Sequence, residues 1–177
     1  MKIVVGTLLL LLSMAASAAK PCMNFDGDSF CLAWASVNGA TISNEYVREQ
    51  ESVEGWTRMI TTKEYVGTKT IKDFLPGYMS SVKPYMAVKP TLLELNNTKH
   101  KEEVILVLIL TAPDKSHHEY VIHRVFVNEG GPVHSVIFSF KLPWGEDAPL
   151  SDAKKYTDKW IKNLGELEPP SYKAMKE

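Results

Sequence analysis

Apolar positions at Ile71, Phe74, Leu75, Tyr78, Met79 and Val82 fall at i, i+3, i+4, i+7, i+8 and i+11. This spacing predicts an amphipathic helix over Ile71–Val82. Thr70, with Asp73 three residues on, supplies a cap for its first free amides, and Pro76 predicts a kink or a boundary inside it. Pro84 and Pro90 punctuate its exit. Elsewhere the pattern is β-like. Thr91–Leu95, Val104–Thr111, His118–Val127 and Val133–Leu142 are rich in strand formers and separated by Asn96-Asn97, Ala112-Pro113 and Gly130-Gly131. They predict an antiparallel meander.

The first half is less regular. Leu32–Val37, a turn at Asn38-Gly39 and Ala40–Val47 predict a hairpin. A polar, acidic stretch, Glu49–Gly55, precedes a strand at Trp56–Thr62, where Trp56, Arg58 and Ile60 would share one face and Thr57, Met59 and Thr61 the other. If Val127 faces Pro132 across the last turn, Val121 pairs with Phe138 and Ile122 with Ile137. Both faces of such a sheet are apolar and need cover. Ile71–Val82 is one cover, and Asp152–Leu164 is the other. The latter is capped by Ser151, carries Ala153, Tyr156, Trp160 and Leu164 on one side, and stops at Gly165. The expected fold class is α+β, an antiparallel sheet with a helix on each face.

The N-terminus changes where this domain starts. Met1-Lys2, an apolar run from Ile3 to Leu12 and the small residues Ala16-Ser17-Ala18 have the form of a secretory signal peptide. The apolar run is too short to span a membrane, which takes about twenty residues, and no other stretch reaches that length. Cleavage after Ala18 leaves 159 of the 177 residues, enough for one domain with a full core. The division is a leader at 1–18, a cysteine loop at 19–31, an α+β domain at 32–165 and a flexible tail at 166–177, with Pro169-Pro170 in the tail. The expected location is periplasmic or secreted. In an oxidising compartment the only two cysteines, Cys22 and Cys31, form a disulfide.

With 20 basic and 21 acidic residues, and a net charge that moves from −1 to −2 once Lys2 leaves with the leader, the surface has no field for nucleic acid. Phosphate-cradling glycine motifs and G-x-S-x-G are absent, so neither a nucleotide site nor a serine-hydrolase site is expected. The histidines, His100, His117, His118, His123 and His134, lack zinc-site spacing, and no metal or cofactor is expected. In the register above His123 and His134 share a face, which makes them the best pair for a site built from distant residues. Asp26-Gly27-Asp28 is too short for an EF-hand loop, and Asn96-Asn97-Thr98 is a glycosylation sequon. Arg48, Trp56 and Arg58 are the candidate partner-binding residues, since Trp and Arg give large area and directional hydrogen bonds. A Trp at a strand start serves packing equally well.

The acidic loop leading into Trp56–Thr61 resembles what small exported bacterial proteins of unassigned role carry. The order of elements across Leu32–Leu164 (hairpin, strand, helix, meander, terminal helix) is similar to the Mog1/PsbP-like α/β/α sandwich. That resemblance implies a non-enzymatic accessory or assembly protein and carries over no catalytic residue. The expected function is therefore an exported, non-enzymatic protein of the bacterial envelope that binds a protein or a small ligand, with no integral membrane segment in the mature chain. The alternatives are an envelope hydrolase whose polar site includes His123 and His134, and an inhibitor or immunity-type protein.

Overall fold

The computed structural model describes residues 20–94, 99–143 and 148–170. The leader at 1–18, the sequon at 96–98 and tail residues 171–177 lie outside the described residues, as do the side chains of Ser151 and Ala153. Eight antiparallel strands form one sheet: β1 (Cys22–Phe25), β2 (Asp28–Asn38), β3 (Thr41–Arg48), β4 (Arg58–Tyr65), β5 (Thr91–Glu94), β6 (Glu102–Thr111), β7 (His117–Val127) and β8 (Val133–Pro143). Their spatial order is β1-β2-β3-β4-β8-β7-β6-β5. Helix α1 (Ile71–Val82) follows β4, and α2 (Ala148–Glu166) follows β8.

This corrects the expected α/β/α sandwich. Among the described residues about half are strand and about a fifth helix, so the sheet, not a pair of helical layers, is the body of the molecule. Eight strands at about 4.8 Å spacing span about 34 Å, whereas a helix with its side chains is about 10 Å across. One helix therefore covers about a third of such a sheet. Helix α1 packs on β6 and β7 through Ile71 and Phe74, which join Val104, Val125, Val127 and Val133. Helix α2 packs on β7 and β8 through Trp160 and Leu164.

The rest of the cover comes from the sheet itself. In a flat sheet β1 and β8 would lie four spacings apart, about 19 Å, yet the Phe25 and Phe138 rings are 4.7 Å apart. The β1–β2 hairpin is thus rolled over the α2-bearing face, where Met23, Phe25 and Phe30 join Tyr46, Ile60, Ile122, Phe138 and Trp160 in the main core. Asp26 and Gly27 form its two-residue turn with φ of 51° and 88°, the positive values that a type I′ turn requires. Asp26 accepts a hydrogen bond from Trp160 Nε1 at 2.7 Å and an ion pair from Lys159 at 2.6 Å, which tie the turn to α2. The Cys22–Cys31 disulfide is present and joins residues directly opposite in the β1–β2 register.

A second tie to α2 is buried. Arg124, in the apolar run of β7, is fully enclosed. Its Nε donates to Glu103 at 2.6 Å, and Nη1 donates to the carbonyls of Leu164 and Leu167 at 3.0 and 2.9 Å. The guanidinium thereby donates to carbonyls at the helix C-terminus and faces the negative end of its dipole. Leu167 and Glu168, at the start of the expected loose tail, are held here too, Glu168 by an ion pair with Lys99.

Three local expectations shift. The first hairpin turns at Gly39-Ala40, with Asn38 paired to Thr41. Helix α1 runs unbroken through Pro76, with Thr70 accepting from the Asp73 amide; Pro76 and Lys72, whose carbonyl loses its intrahelical partner, are both exposed to water. Tyr156 on α2 is 41% exposed although it sits against Trp160.

Candidate functional site

The sheet face that carries α1 is open over β2, β3 and β4. A register shift between Leu32 and Trp34 leaves Ala33 as an extra residue, so Leu32 opposes Tyr46 while Trp34 opposes Glu45. Such a bulge re-aims the residues after it. Leu32 points into the main core, but Trp34 stands on the opposite face, 44% exposed. Between this strand and α1 lies a cleft of about 620 Å³ lined by Trp34, Ser36, Ser43, Tyr65, Gly77 and Tyr78, among others. A second cleft of about 440 Å³ reaches Trp56, Leu110 and Glu119. Both are also lined by Glu45, Lys63, Tyr78 and Val82, which makes them two lobes of one groove along α1.

The groove has aromatic ends and a polar floor. Burial raises the Glu45 carboxyl above its ordinary value, Lys63 opposes that shift, and Glu119 adds to it. Beneath α1, burial pushes Tyr65 up to about 12 despite its bond with Ser135, so it stays protonated.

Of the three sequence-predicted residues, Arg48 and Arg58 are brought together at Asp28, while Trp56 lies on the groove face. Arg48 Nη2 donates to Glu51 at 2.5 Å and to Thr57 Oγ1 at 2.6 Å. Arg48 and Arg58 also flank Asp28 Oδ2, at 3.8 and 3.1 Å. Burial alone would raise Glu51, but the hydrogen bonds from Arg48 and Thr57 outweigh it and hold the carboxyl at about 2. Both guanidiniums thus serve an internal network that closes the ends of β2, β3 and β4. Trp56 precedes β4 and lies on the groove face, with the Lys141 ammonium 4.4 Å from its ring centre.

The histidine pair is separated as well. Val127 pairs with Val133, not Pro132, so Ile122 opposes Phe138 and Val121 opposes Ser139. This one-residue difference sends His123 and His134 to opposite faces. His134 stacks on Phe126 and lies 3.8 Å from Glu64. His123 is fully buried under α1, its Nε2 2.7 Å from Ser135 Oγ and its ring against Tyr78 at 4.5 Å. Burial, aided by Lys63, pushes His123 down to about 3. A neutral, enclosed imidazole reaches no substrate.

One serine–histidine–carboxylate series escapes the sequence reading. In the β6–β7 turn Ser116 Oγ lies 2.8 Å from His117 Nδ1, and His117 Nε2 lies 3.4 Å from Glu119. Ser116 Oγ is also 2.7 Å from Asp114 Oδ1. Hydrogen bonds from the Ser116 amide and hydroxyl hold Asp114 below its ordinary range. An ionised carboxylate only accepts. The single hydroxyl proton therefore goes to Asp114, and His117 Nδ1 donates to Ser116 rather than taking its proton. This is a turn lock, not an activated nucleophile.

A family model matches residues 17–168. The chain belongs to this family, which is uncharacterised. The family match lends no support to a Mog1/PsbP relationship, and the architecture above overturns the sandwich on which that relationship rested. No curated protein matches the chain significantly. Within this member of the family, among the described residues, no helix is long and apolar enough to cross a membrane. Its groove offers shape, an exposed Trp34, a half-buried Trp56 and a mixed polar floor.

Proposed function

We propose that the chain is an exported, non-enzymatic binding protein of the envelope and that its ligand occupies the groove between α1 and the uncovered strands β2–β4. The observation that carries this reading is the groove itself. The bulge aims Trp34 outward onto the open face, where burial in a core would be the ordinary fate of a Trp in a strand. The disulfide suits an oxidising compartment.

Gly77 provides the test. It lines the larger lobe from α1, and a Cβ placed there meets nothing within 4 Å. Gly77→Phe therefore fills the groove without disturbing the core. A thermal-shift screen of sugars, amines, nucleotides and short peptides, followed by calorimetry on each hit, is expected to yield a ligand whose affinity falls at least tenfold in Gly77→Phe, with an undiminished melting temperature. Ligand turnover, or a hit indifferent to Gly77→Phe, would contradict the reading.

A further inference from the structure

We infer that the ligand is an extended polypeptide segment that adds a strand to the free edge of β2. This rests on the groove reading above and names the partner class of that site. The edge is the first observation. Strand β1 pairs with β2 only over Asp28–Cys31, and the Leu32 amide donates to Pro21. Past that point, among the described residues, Ala33–Asn38 has β3 on one side and no strand on the other. Six residues of strand expose about 20 Å of edge with backbone donors and acceptors facing water.

The edge also lacks the usual defences. Ala33-Trp34-Ala35-Ser36-Val37-Asn38 contains no charge and no proline, the features that natural edges use against pairing. Val37 is 58% exposed on one face and Trp34 44% exposed on the other. The defence that is present, the bulge at Ala33, lies at the inner end and leaves the rest regular.

The groove adjoins this edge. Trp34, Ser36 and Asn38, alternate residues of the edge, line its larger lobe. A strand paired to the edge would point every second side chain to the groove face, beside these three residues, and the others to the side of Val37. Backbone pairing then supplies affinity and the lobe reads alternate side chains, the division of labour found in strand addition. The neutral edge suits a partner strand of low charge.

The test uses the full exported chain with its disulfide intact. Random dodecapeptides displayed on phage are selected against it, and a selected peptide is synthesised with backbone N-methyl groups on either its odd or its even residues. Successive strand amides point alternately toward and away from the edge. One methylated set is therefore expected to bind at least tenfold more weakly, while the other stays within about twofold of the parent. Ser36→Lys is expected to weaken the parent peptide at an unchanged melting temperature, and binding is expected to slow exchange of the Ala33–Asn38 amides. Equal loss in both methylated sets, combined with sensitivity to Gly77→Phe, would overturn strand addition and leave the groove reading standing. Failure to select any peptide, while a non-peptide ligand binds in the Gly77-sensitive manner, would do the same. Peptide binding indifferent to both Ser36→Lys and Gly77→Phe would overturn both. A concentration-dependent dimer abolished by Ser36→Lys would assign the edge to a second copy instead and overturn the peptide assignment.

Discussion

The two halves of one sheet are finished differently. Over β7 the sheet has α1 on one side and α2 on the other, with α1 reaching onto β6 and α2 onto β8, and side chains as large as Trp160, Phe138 and Arg124 are fully or almost fully enclosed. Over β2 to β4 the α2-bearing side is closed by the rolled β1–β2 hairpin, while the α1-bearing side stays open above Ser43, Glu45 and Lys63. Polarity follows cover. Where a helix lies above, residues of the α1-bearing face include Val104, Leu106, Val121 and Val125; where none does, Ser36, Ser43, Glu45, Thr61 and Lys63 stand among the apolar Trp34, Val47 and Met59. On the proposed reading the open part takes a ligand, while the largest enclosed side chains lie in the closed part.

Substitutions that remove one member of a buried pair should break this contrast most visibly. Arg124→Met removes the guanidinium that donates to the buried Glu103 carboxylate and to the Leu164 and Leu167 carbonyls. Chemical unfolding should show a loss of about 3–5 kcal/mol. A loss below about 1 kcal/mol would mean that α2 is not anchored through this residue.

The next effect depends on pH. His123 sits at about 3 in the folded chain, against about 6.5 unfolded. Its folded pKa is depressed, so the unfolded chain binds the extra proton. Stability from this source is fully present above about pH 6.5 and is lost as pH falls toward about 3. At pH 4.5 the loss should be about 2–3 kcal/mol relative to pH 7. His123→Gln removes this component, and comparing the wild-type and variant slopes separates it from Glu51, which adds its own loss only below its ordinary carboxylate range. Parallel slopes would show that His123 is not buried in neutral form.

A change of similar size is expected at the hairpin. Replacing Cys22 and Cys31 together with serine opens a short loop, and the chain-entropy relation gives about 2–3 kcal/mol. Met23, Phe25 and Phe30 remain to hold the hairpin down, so the variant should still fold, as near-UV circular dichroism can report. The least effect on stability should come from Trp34→Ala, within about 0.5 kcal/mol, while ligand binding in the groove is lost. A large fall in melting temperature would place Trp34 in the core and remove one wall of the comparison.

Periodicity made the closed half legible. Strands β6, β7 and β8 and helix α1 lie where runs of strand formers between turn residues and the i, i+3, i+4 spacing put them, since local pattern and tertiary burial agree there. The register between β7 and β8 was not legible, because residues 128–132 form a longer loop with Gly130 at φ 67°, and a loop one residue longer moves every facing pair. Strand β1 carries a readable signal in Asp26-Gly27, a strong two-residue hairpin signature. Arg124 carried one too, a lone cation within an apolar strand that demands a buried partner, although pairing with Glu103 and the end of α2 is long-range and leaves no local mark. The candidate site was the least legible part. Its wall depends on the extra residue at Ala33, which inverts the alternation of β2, and nothing in that composition announces a bulge.

Amide hydrogen exchange, read residue by residue along β2 in the free protein, tests the division between closed and open regions most directly. Amides of Phe30 and Cys31, flanked by β1 and β3, and of Leu32, which donates to the Pro21 carbonyl, should be protected, whereas Ala33–Asn38 should alternate, with those facing away from β3 exchanging rapidly. Continuous protection from Phe30 to Asn38 would show that the edge beside the groove is covered and would contradict the account.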